Sequence, residues 1–599
     1  MLSKHTTTTD AAVAKTRYPL LPVAVLAGVV LVAAAWHQVR GGSSVAATSA
    51  AGVADGAAWI VQAQDIATLR ELGVAHGWQV VRELELINAL VIQSGATADE
   101  LRLLPGVTAV TPNRGVTAAS TPASQKFSIV NSFFPHQLGA DRLHQRLITG
   151  RGVSVAVLDS GIYDTLPLRR NILLQDRIRG VYNLASGKTG RDPVDVEDGF
   201  GHGAHVASTI ALAEATIGGT WKIGDYNGIA PDAGLVIVKV LDDQGRGTYA
   251  DVIAGVEYVI ANADQLDIGV MNLSLSGAVY SHYWEDPLNQ AVMAAWDAGI
   301  VVVVSAGNRG PDPMTIGVPG NVPYVITVGA MNDGNTPYEP ADDWLAEFSS
   351  TGPTVEGFVK PEVIAPGTNV RGVMADQSSL ATTYPEFKRW SDRYQLSGTS
   401  QSAAMVAGIA ALMRQVDPEA TPDDIKCRLM ATARPAVNID GAPGLSVFQQ
   451  GAGLVNAYEA AYSEESGCAN RGLDVQADLA DTQHFGGRAA VDEDGRFYLR
   501  GMEGHDLWGD SYLWGNGSFW AESYLWANSY LWADSYLWAD SYLWDSDNQW
   551  EGSEVRTDSY LWANSANTLP DAWGDDSIAT EPFQFEVLDP PLFANSFED

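Results

Sequence analysis

Three side chains in this sequence have the chemistry to make a hydroxyl attack a carbonyl. Asp159 follows the apolar run Val155-Ala156-Val157-Leu158 and leads into Ser160-Gly161. His202 lies in Gly201-His202-Gly203-Ala204-His205-Val206-Ala207, and Ser400 lies in Gly398-Thr399-Ser400-Gln401-Ser402-Ala403-Ala404. A carboxylate at the carboxyl end of a buried parallel strand stands where open α/β sheets place their sites. Glycines beside His202 let backbones approach closely, and the small residues after it let a helix pack near the sheet. A serine in a helix's first turn exposes its hydroxyl and leaves its own N–H free to donate to an oxyanion. Alone, the Asp reads as a turn residue and the Gly-Thr-Ser as a loop. Together the three supply a nucleophile, a base and a group that orients the base.

In their chain order these motifs resemble those of the subtilases, the subtilisin-like serine proteases, and the resemblance covers roughly residues 59–462. It implies that Ser400 is the nucleophile, that His202 takes its proton and later gives it to the leaving amine, and that Asp159 fixes the imidazole tautomer. His205, one turn along, is then structural. Asn308 in Val304-Ser305-Ala306-Gly307-Asn308 resembles the family's oxyanion-hole asparagine. Ser274-Leu275-Ser276-Gly277 and Ser305-Ala306-Gly307 resemble the walls of the pocket for the residue before the cut, with Gly317 at its base. Their small, uncharged side chains imply a roomy neutral pocket that favours a large apolar residue.

Some positions depart from the family pattern. Ala204 stands in place of Thr, Ser276 in place of Gly, and Ala404 and Met405 where the helix after the nucleophile usually carries Pro and His. The implied chemistry needs no cofactor. Acidic loops such as Asp192–Asp198 leave room for structural Ca²⁺, but no EF-hand spacing exists and no metal ligand is assigned.

Between about 140 and 462, short apolar runs (Val153–Leu158, Leu235–Val240, Ile268–Leu275, Ile300–Ser305) alternate with helical stretches. That pattern predicts an α/β catalytic domain, a parallel sheet covered by helices on both faces. Residues 59–114 predict a small α+β module. Strands start at Trp59 and run over Leu86–Ile92 and Val107–Thr111, with helices over Ile66–His76 and Thr97–Leu104. Ile87-Asn88-Ala89-Leu90 and Pro105-Gly106-Val107-Thr108-Ala109-Val110-Thr111-Pro112-Asn113 resemble the family's inhibitory propeptide. Residues 115–139 then read as a processing linker and mature N-terminus, with the cut expected between about Arg114 and Lys126.

The ends of the chain differ from its middle. Lys15 and Arg17 precede an apolar run from Pro19 to Trp36, so residues 1–40 read as a cytoplasmic flank with a signal peptide or signal anchor, and 41–58 as a linker. Export follows in either case, to a secreted or a cell-surface, membrane-anchored form. Residues 463–504 read as a linker. Residues 505–562 carry Ser-Tyr-Leu-Trp-Ala-Asp/Asn hexads, with Trp508, Trp514, Trp520, Trp526, Trp532, Trp538, Trp544, Trp550 and Trp562 in register, and 563–599 form an acidic tail. A period of six keeps each residue type on one face of an extended strand, so the hexads fit either a β-solenoid or a low-complexity disordered tail. Their aromatic stripe suits cell-surface or glycan contact.

The formal net charge is −36, and from Glu464 to Asp599 there are 27 Asp and Glu against 5 Arg and no Lys. Such a surface repels phosphate backbones and argues against nucleic acid as a partner. The partners implied are protein or peptide substrates and the chain's own propeptide. Cys427 and Cys468, the two cysteines, sit in no metal-binding spacing; in an exported chain they are candidates for a disulfide. The expected function is therefore an exported serine endopeptidase made as a self-processing zymogen. The alternative is a surface binding or adhesion protein with a vestigial peptidase body.

Overall fold

The computed structural model describes residues 57–119, 121–122, 132–216, 226–333, 343–436, 445–491 and 497–500. The apolar run Pro19–Trp36 and the tryptophan hexads lie outside the described residues. Among the described residues no helix is long and apolar enough to cross a membrane.

The small module has strands β1 (Ala57–Ala63), β2 (Gln79–Leu84), β3 (Ala89–Ser94) and β4 (Val107–Pro112), forming an antiparallel sheet in the order β2-β3-β1-β4. Helix α1 (Ile66–His76) starts where Asp65 accepts from Thr68 N at 2.8 Å, and α2 (Ala98–Arg102) starts at a Thr97/Glu100 capping box. Val61, Leu69, Leu90, Ile92 and Leu101 give the module a core of its own. The strand expected over Leu86–Ile92 begins only at Ala89. Glu85–Ile87 is a 3₁₀ turn, and Asn88 at φ 47° reverses the chain into β3. β2 was not foreseen, because Val80 and Val81 are both exposed and the segment shows no alternation.

The large sheet is built on β6 (Ser154–Asp159), β7 (Ile178–Asn183), β8 (Gly234–Lys239), β10 (Ile268–Leu273), β12 (Val301–Ser305) and β13 (Ile326–Asn332). They lie in the order β13-β12-β10-β6-β8-β7 and are parallel throughout. β14 (Val363–Pro366) also pairs with β13 in parallel, and short antiparallel pieces at Lys188–Gly190 and Trp344–Leu345 close the edges. Every residue of β6 and of β12 is buried, so both faces of the sheet are covered. β7 and β8 lie on one side of β6 and β10 on the other, so the strand order reverses at β6, and a crevice opens beyond its carboxyl end.

Three helices matter most to that crevice. α3 (His202–Ala211) and α6 (Thr399–Val416) pack on each other, and α4 (Tyr249–Ala261) packs on β6. α6 is buried on all sides from Thr399 to Met413. Its small residues permit this: a Cβ on Gly408 would lie 2.7 Å from Ile229 Cβ. Ala404 and Met405, where the family pattern has Pro and His, are part of that buried helix.

The linker expected over 463–504 is corrected. Residues 463–491 and 497–500 form a strap packed on the catalytic domain. Cys468 is disulfide-bonded to Cys427 of α7 (Pro422–Ala431), with Cα atoms 5.3 Å apart. The buried Asp478 carboxylate accepts from Tyr283 OH at 2.7 Å and Tyr324 OH at 2.5 Å. Gly487 N and Ala489 N donate to Glu356 O and Gly357 O, and Phe485 and Leu499 are buried. The strap is polar, with few and irregularly spaced apolar residues, so no hydrophobic period marks it. Buried hydrogen bonds hold it instead.

Candidate active site

Asp159 is the last residue of β6 and His202 the first of α3. His202 Nδ1 donates to Asp159 Oδ1 at 2.7 Å and lies 3.0 Å from Oδ2. Both side chains are out of solvent, and the carboxylate also accepts from Ser160 N at 2.7 Å. A buried carboxylate is costly without such donors. Gly203 makes the approach possible, since a Cβ there would lie 2.4 Å from Gly161 O. Gly201 turns into α3 at φ 102°, a conformation that glycine adopts without strain.

Asp198 fixes this entry, a role the sequence did not reveal. Its carboxylate accepts from Gly201 N at 2.7 Å, Phe200 N at 3.1 Å and Ala204 N at 2.7 Å. Burial pushes its pKa up, and the backbone donors oppose that. Two other carboxylates of the acidic loop are separately engaged: Asp192 caps Val194 N and Asp195 pairs with Lys188. No metal-binding cluster of His, Cys, Asp or Glu occurs among the described residues. His205 is fully buried with Nε2 3.1 Å from Val370 O, and burial pushes its pKa down to about 3.

Ser400 is the second residue of α6. Its Oγ lies 2.7 Å from Ala119 O and 3.1 Å from Ser274 O. Ser274 Oγ in turn donates to Ser400 O at 3.0 Å and accepts from Asn272 Nδ2. Asn308 Oδ1 accepts from Thr399 N at 3.0 Å and Thr399 Oγ1 at 2.9 Å. A backbone N–H can only donate, so this contact fixes which way the amide points. Asn308 Nδ2 is buried and has no hydrogen-bond partner. An unpartnered buried donor is costly, and such groups are kept where a ligand atom will meet them.

A strand of the chain itself occupies the crevice. β5 (Gly115–Ala118) lies antiparallel between β9 (Arg246–Thr248) and β11 (Leu275–Ser276). Val116 pairs with Gly247, Thr117 with Ser276 and Ala118 with Leu275, and Ala119 N donates to Ser274 O at 3.3 Å.

The structure brings the expected pocket residues together. Ser305 Oγ donates to Leu275 O, Gly307 N to Thr399 Oγ1, Gly317 N to Ala306 O, and Gly277 N to Val318 O. Two polar side chains stand close to these small residues. A Cβ on Gly317 would lie 2.0 Å from Ser276 Oγ, and Arg309 Nη2 donates to Gly277 O at 3.1 Å. A hydroxyl and a guanidinium thus lie beside Gly317 and Gly277. Ser276 was recognised as a departure; Arg309, outside the motif, was not.

Residues 150–453 match the subtilase family. The chain belongs to that family, whose members are serine endopeptidases. It is 44% identical over 284 residues to the serine protease AprX of Bacillus subtilis (strain 168), covering 47% of this chain and 60% of that protein. It is 33% identical over 327 residues to subtilisin E of the same organism, covering 54% of this chain and 70% of that one. The crystal structure of fervidolysin from Fervidobacterium pennivorans, a keratinolytic enzyme related to subtilisin, superposes with a TM-score of 0.53 at 24% identity. The match covers 68% of this chain and 61% of that one, and it shows a shared fold.

Proposed function

We propose that the chain is an exported serine endopeptidase made as a self-processing zymogen, with Ser400 as nucleophile, His202 as base and acid, Asp159 as its orienting carboxylate and Asn308 as oxyanion donor. The observation that carries this reading is the Ala119 carbonyl, held 2.7 Å from Ser400 Oγ. The hydroxyl is too weak a nucleophile unaided. His202 takes its proton, and Asp159 stabilises the imidazolium that forms. Asn308 Nδ2 and Ser400 N hold the developing oxyanion; loss of such a side-chain donor costs ~10²–10³ in rate in this family. Protons move only among serine, histidine, substrate and water, so no cofactor takes part. The complete Asp159–His202 pair and the open Asn308 donor favour an enzyme over a binding protein with a vestigial body.

Residues 59–114 act as the inhibitory propeptide. The module's contacts with the catalytic domain support this. Glu257 accepts from Leu86 N at 2.9 Å, Arg82 pairs with Asp251 at 3.3 Å, Gln62 bonds Gln290 at 2.7 Å, and Asn113 Oδ1 accepts from Ala250 N in the first turn of α4. The N-terminal apolar run directs export, and the hexads attach the mature enzyme at the cell surface or to glycan. The substrates are proteins or peptides.

The test is kinetic. Ser400→Ala should lose peptide hydrolysis by a factor of ~10⁶ while keeping its thermal midpoint, and His202→Ala should lose nearly as much, since the triad acts as a unit. Wild-type turnover in Ser400→Ala would refute the assignment.

A further inference from the structure

We propose that Asp478, in the strap, is a positioning residue for the substrate pocket, and that the strap thereby sets how well the enzyme holds the residue before the cut. The proposal rests on the endopeptidase reading and deepens it. It names a specificity determinant that lies beyond residues 150–453, the part of the chain that matches the family.

Two segments form the expected pocket. One carries Ser274–Gly277 and the other carries Gly317. They pair at Gly277 and Val318, where each N–H donates to the other residue's carbonyl. Six residues beyond that pair on each segment (277 to 283, 318 to 324) stands a buried tyrosine, Tyr283 and Tyr324. Both hydroxyls donate to one oxygen of the strap, Asp478 Oδ2, at 2.7 and 2.5 Å. The other carboxylate oxygen meets His484 Nδ1 at 2.8 Å, and the His484 ring stacks on Trp284, the neighbour of Tyr283, at 4.6 Å. Asp478 therefore clasps the two segments together past the point where their backbones pair.

The clasp is held out of water. Asp478 is 3% exposed, so its loss would leave two buried hydroxyls short of an acceptor and let the segments part. A second strap residue reaches the same region from behind. Asn470 Nδ2 donates to Tyr324 O at 3.0 Å, and its Oδ1 accepts from Lys426 Nζ at 2.9 Å. Lys426 pairs with buried Glu362 at 2.9 Å, and Glu362 with Lys360 at 2.6 Å. Lys360 donates to Thr327 Oγ1 at 3.1 Å, and Thr327 Oγ1 donates to Gly320 O at 2.7 Å. A Cβ on Gly320 would lie 3.0 Å from Gly317 O, so this buried network ends against the pocket.

The strap thus supports the residues that receive a side chain, whereas Ser400 is activated by His202 and Asp159. Loosening the clasp should weaken the binding of a substrate that has a side chain to seat. It should leave the reactivity of Ser400 unchanged. Binding lost equally from ground state and transition state raises KM and spares kcat.

The experiment uses the processed full-length enzyme below each variant's thermal midpoint. Two peptides differ only in the residue before the cut, leucine or glycine, and a fluorophosphonate probe reports the reactivity of Ser400. Asp478→Ala should raise KM for the leucine peptide about tenfold with kcat unchanged, since small misplacements far from the chemistry have effects of this order or larger. Hydrolysis of the glycine peptide and the labelling rate should stay native. Asp478→Asn, whose amide oxygen still accepts from both tyrosines, should keep the native KM. Tyr324→Phe removes one hydroxyl and no packing, and it should raise KM for the leucine peptide as well, so the outcome does not hang on how Asp478→Ala folds. Equal losses on both peptides, a native KM in Tyr324→Phe, or a loss in Asp478→Asn as large as in Asp478→Ala would overturn the proposal, while Ser400-dependent hydrolysis kept the endopeptidase reading standing. No Ser400-dependent hydrolysis of either peptide would overturn both.

Discussion

His202 and His205 share one helix and one sequence motif, yet their surroundings give them opposite work. His202 Nδ1 meets a carboxylate; His205 is enclosed, with Nε2 on the Val370 carbonyl. Burial holds the His205 pKa at about 3, against an ordinary histidine value of about 6.5. Below about pH 6.5 the unfolded chain therefore binds a proton that the folded chain refuses, so stability falls as pH drops from about 6.5 towards 3. The thermal midpoint, followed from pH 7 to pH 4, should drop less steeply in His205→Gln, which keeps a donor for Val370 O but cannot charge. An unchanged slope would show that His205 does not set the acid limit. Residues such as Asp159, His202, Ser400 and Asn308 stood out in the sequence because short motifs surround them. Asp198 did not, because its role depends on its carboxylate folding back onto three backbone N–H groups. Arg309 did not, because a long side chain acts far from its own position.

At the scale of elements, hydrophobic runs located β6, β8 and β12 to within about a residue, because strands buried on both faces read as continuous apolar segments, whereas β7, β13 and β14 were not picked out. The run Ile268–Leu275 was the exception: it divides at Ser274 into β10 and β11, the second of which leaves the large sheet to pair with β5. The strap was illegible, since its anchors are a disulfide, two tyrosine hydroxyls on Asp478 and backbone pairs rather than an apolar stripe. A chain ending at Arg500 should therefore process itself and hydrolyse peptides at the full-length rate, while losing surface attachment with the hexads. A chain ending at Tyr462 loses the disulfide, which stabilises by up to about 4 kcal/mol for a 41-residue span. It also strands the buried Tyr283 and Tyr324 hydroxyls. Its thermal midpoint should fall by many degrees. Equal midpoints for the two truncations would reduce the strap to a tether.

On the whole-molecule scale, β5 lies beside Ser400 at the carboxyl ends of the parallel strands, while residues 59–114 meet the catalytic domain at α4. Most of the acidic surplus falls after residue 463 in the sequence, beyond the catalytic motifs. In the proposed function, one polypeptide is made inactive, exported and then activated by cutting. Its central claim is that Ser400 is a nucleophile activated by His202 and Asp159. The most direct measurement is labelling of the processed protein with a fluorophosphonate probe, followed by peptide mapping. The account predicts one adduct, on Ser400, absent from Ser400→Ala and formed at least about 100-fold more slowly in His202→Ala. Labelling at another residue, no labelling of the processed form, or a native rate in His202→Ala would contradict it.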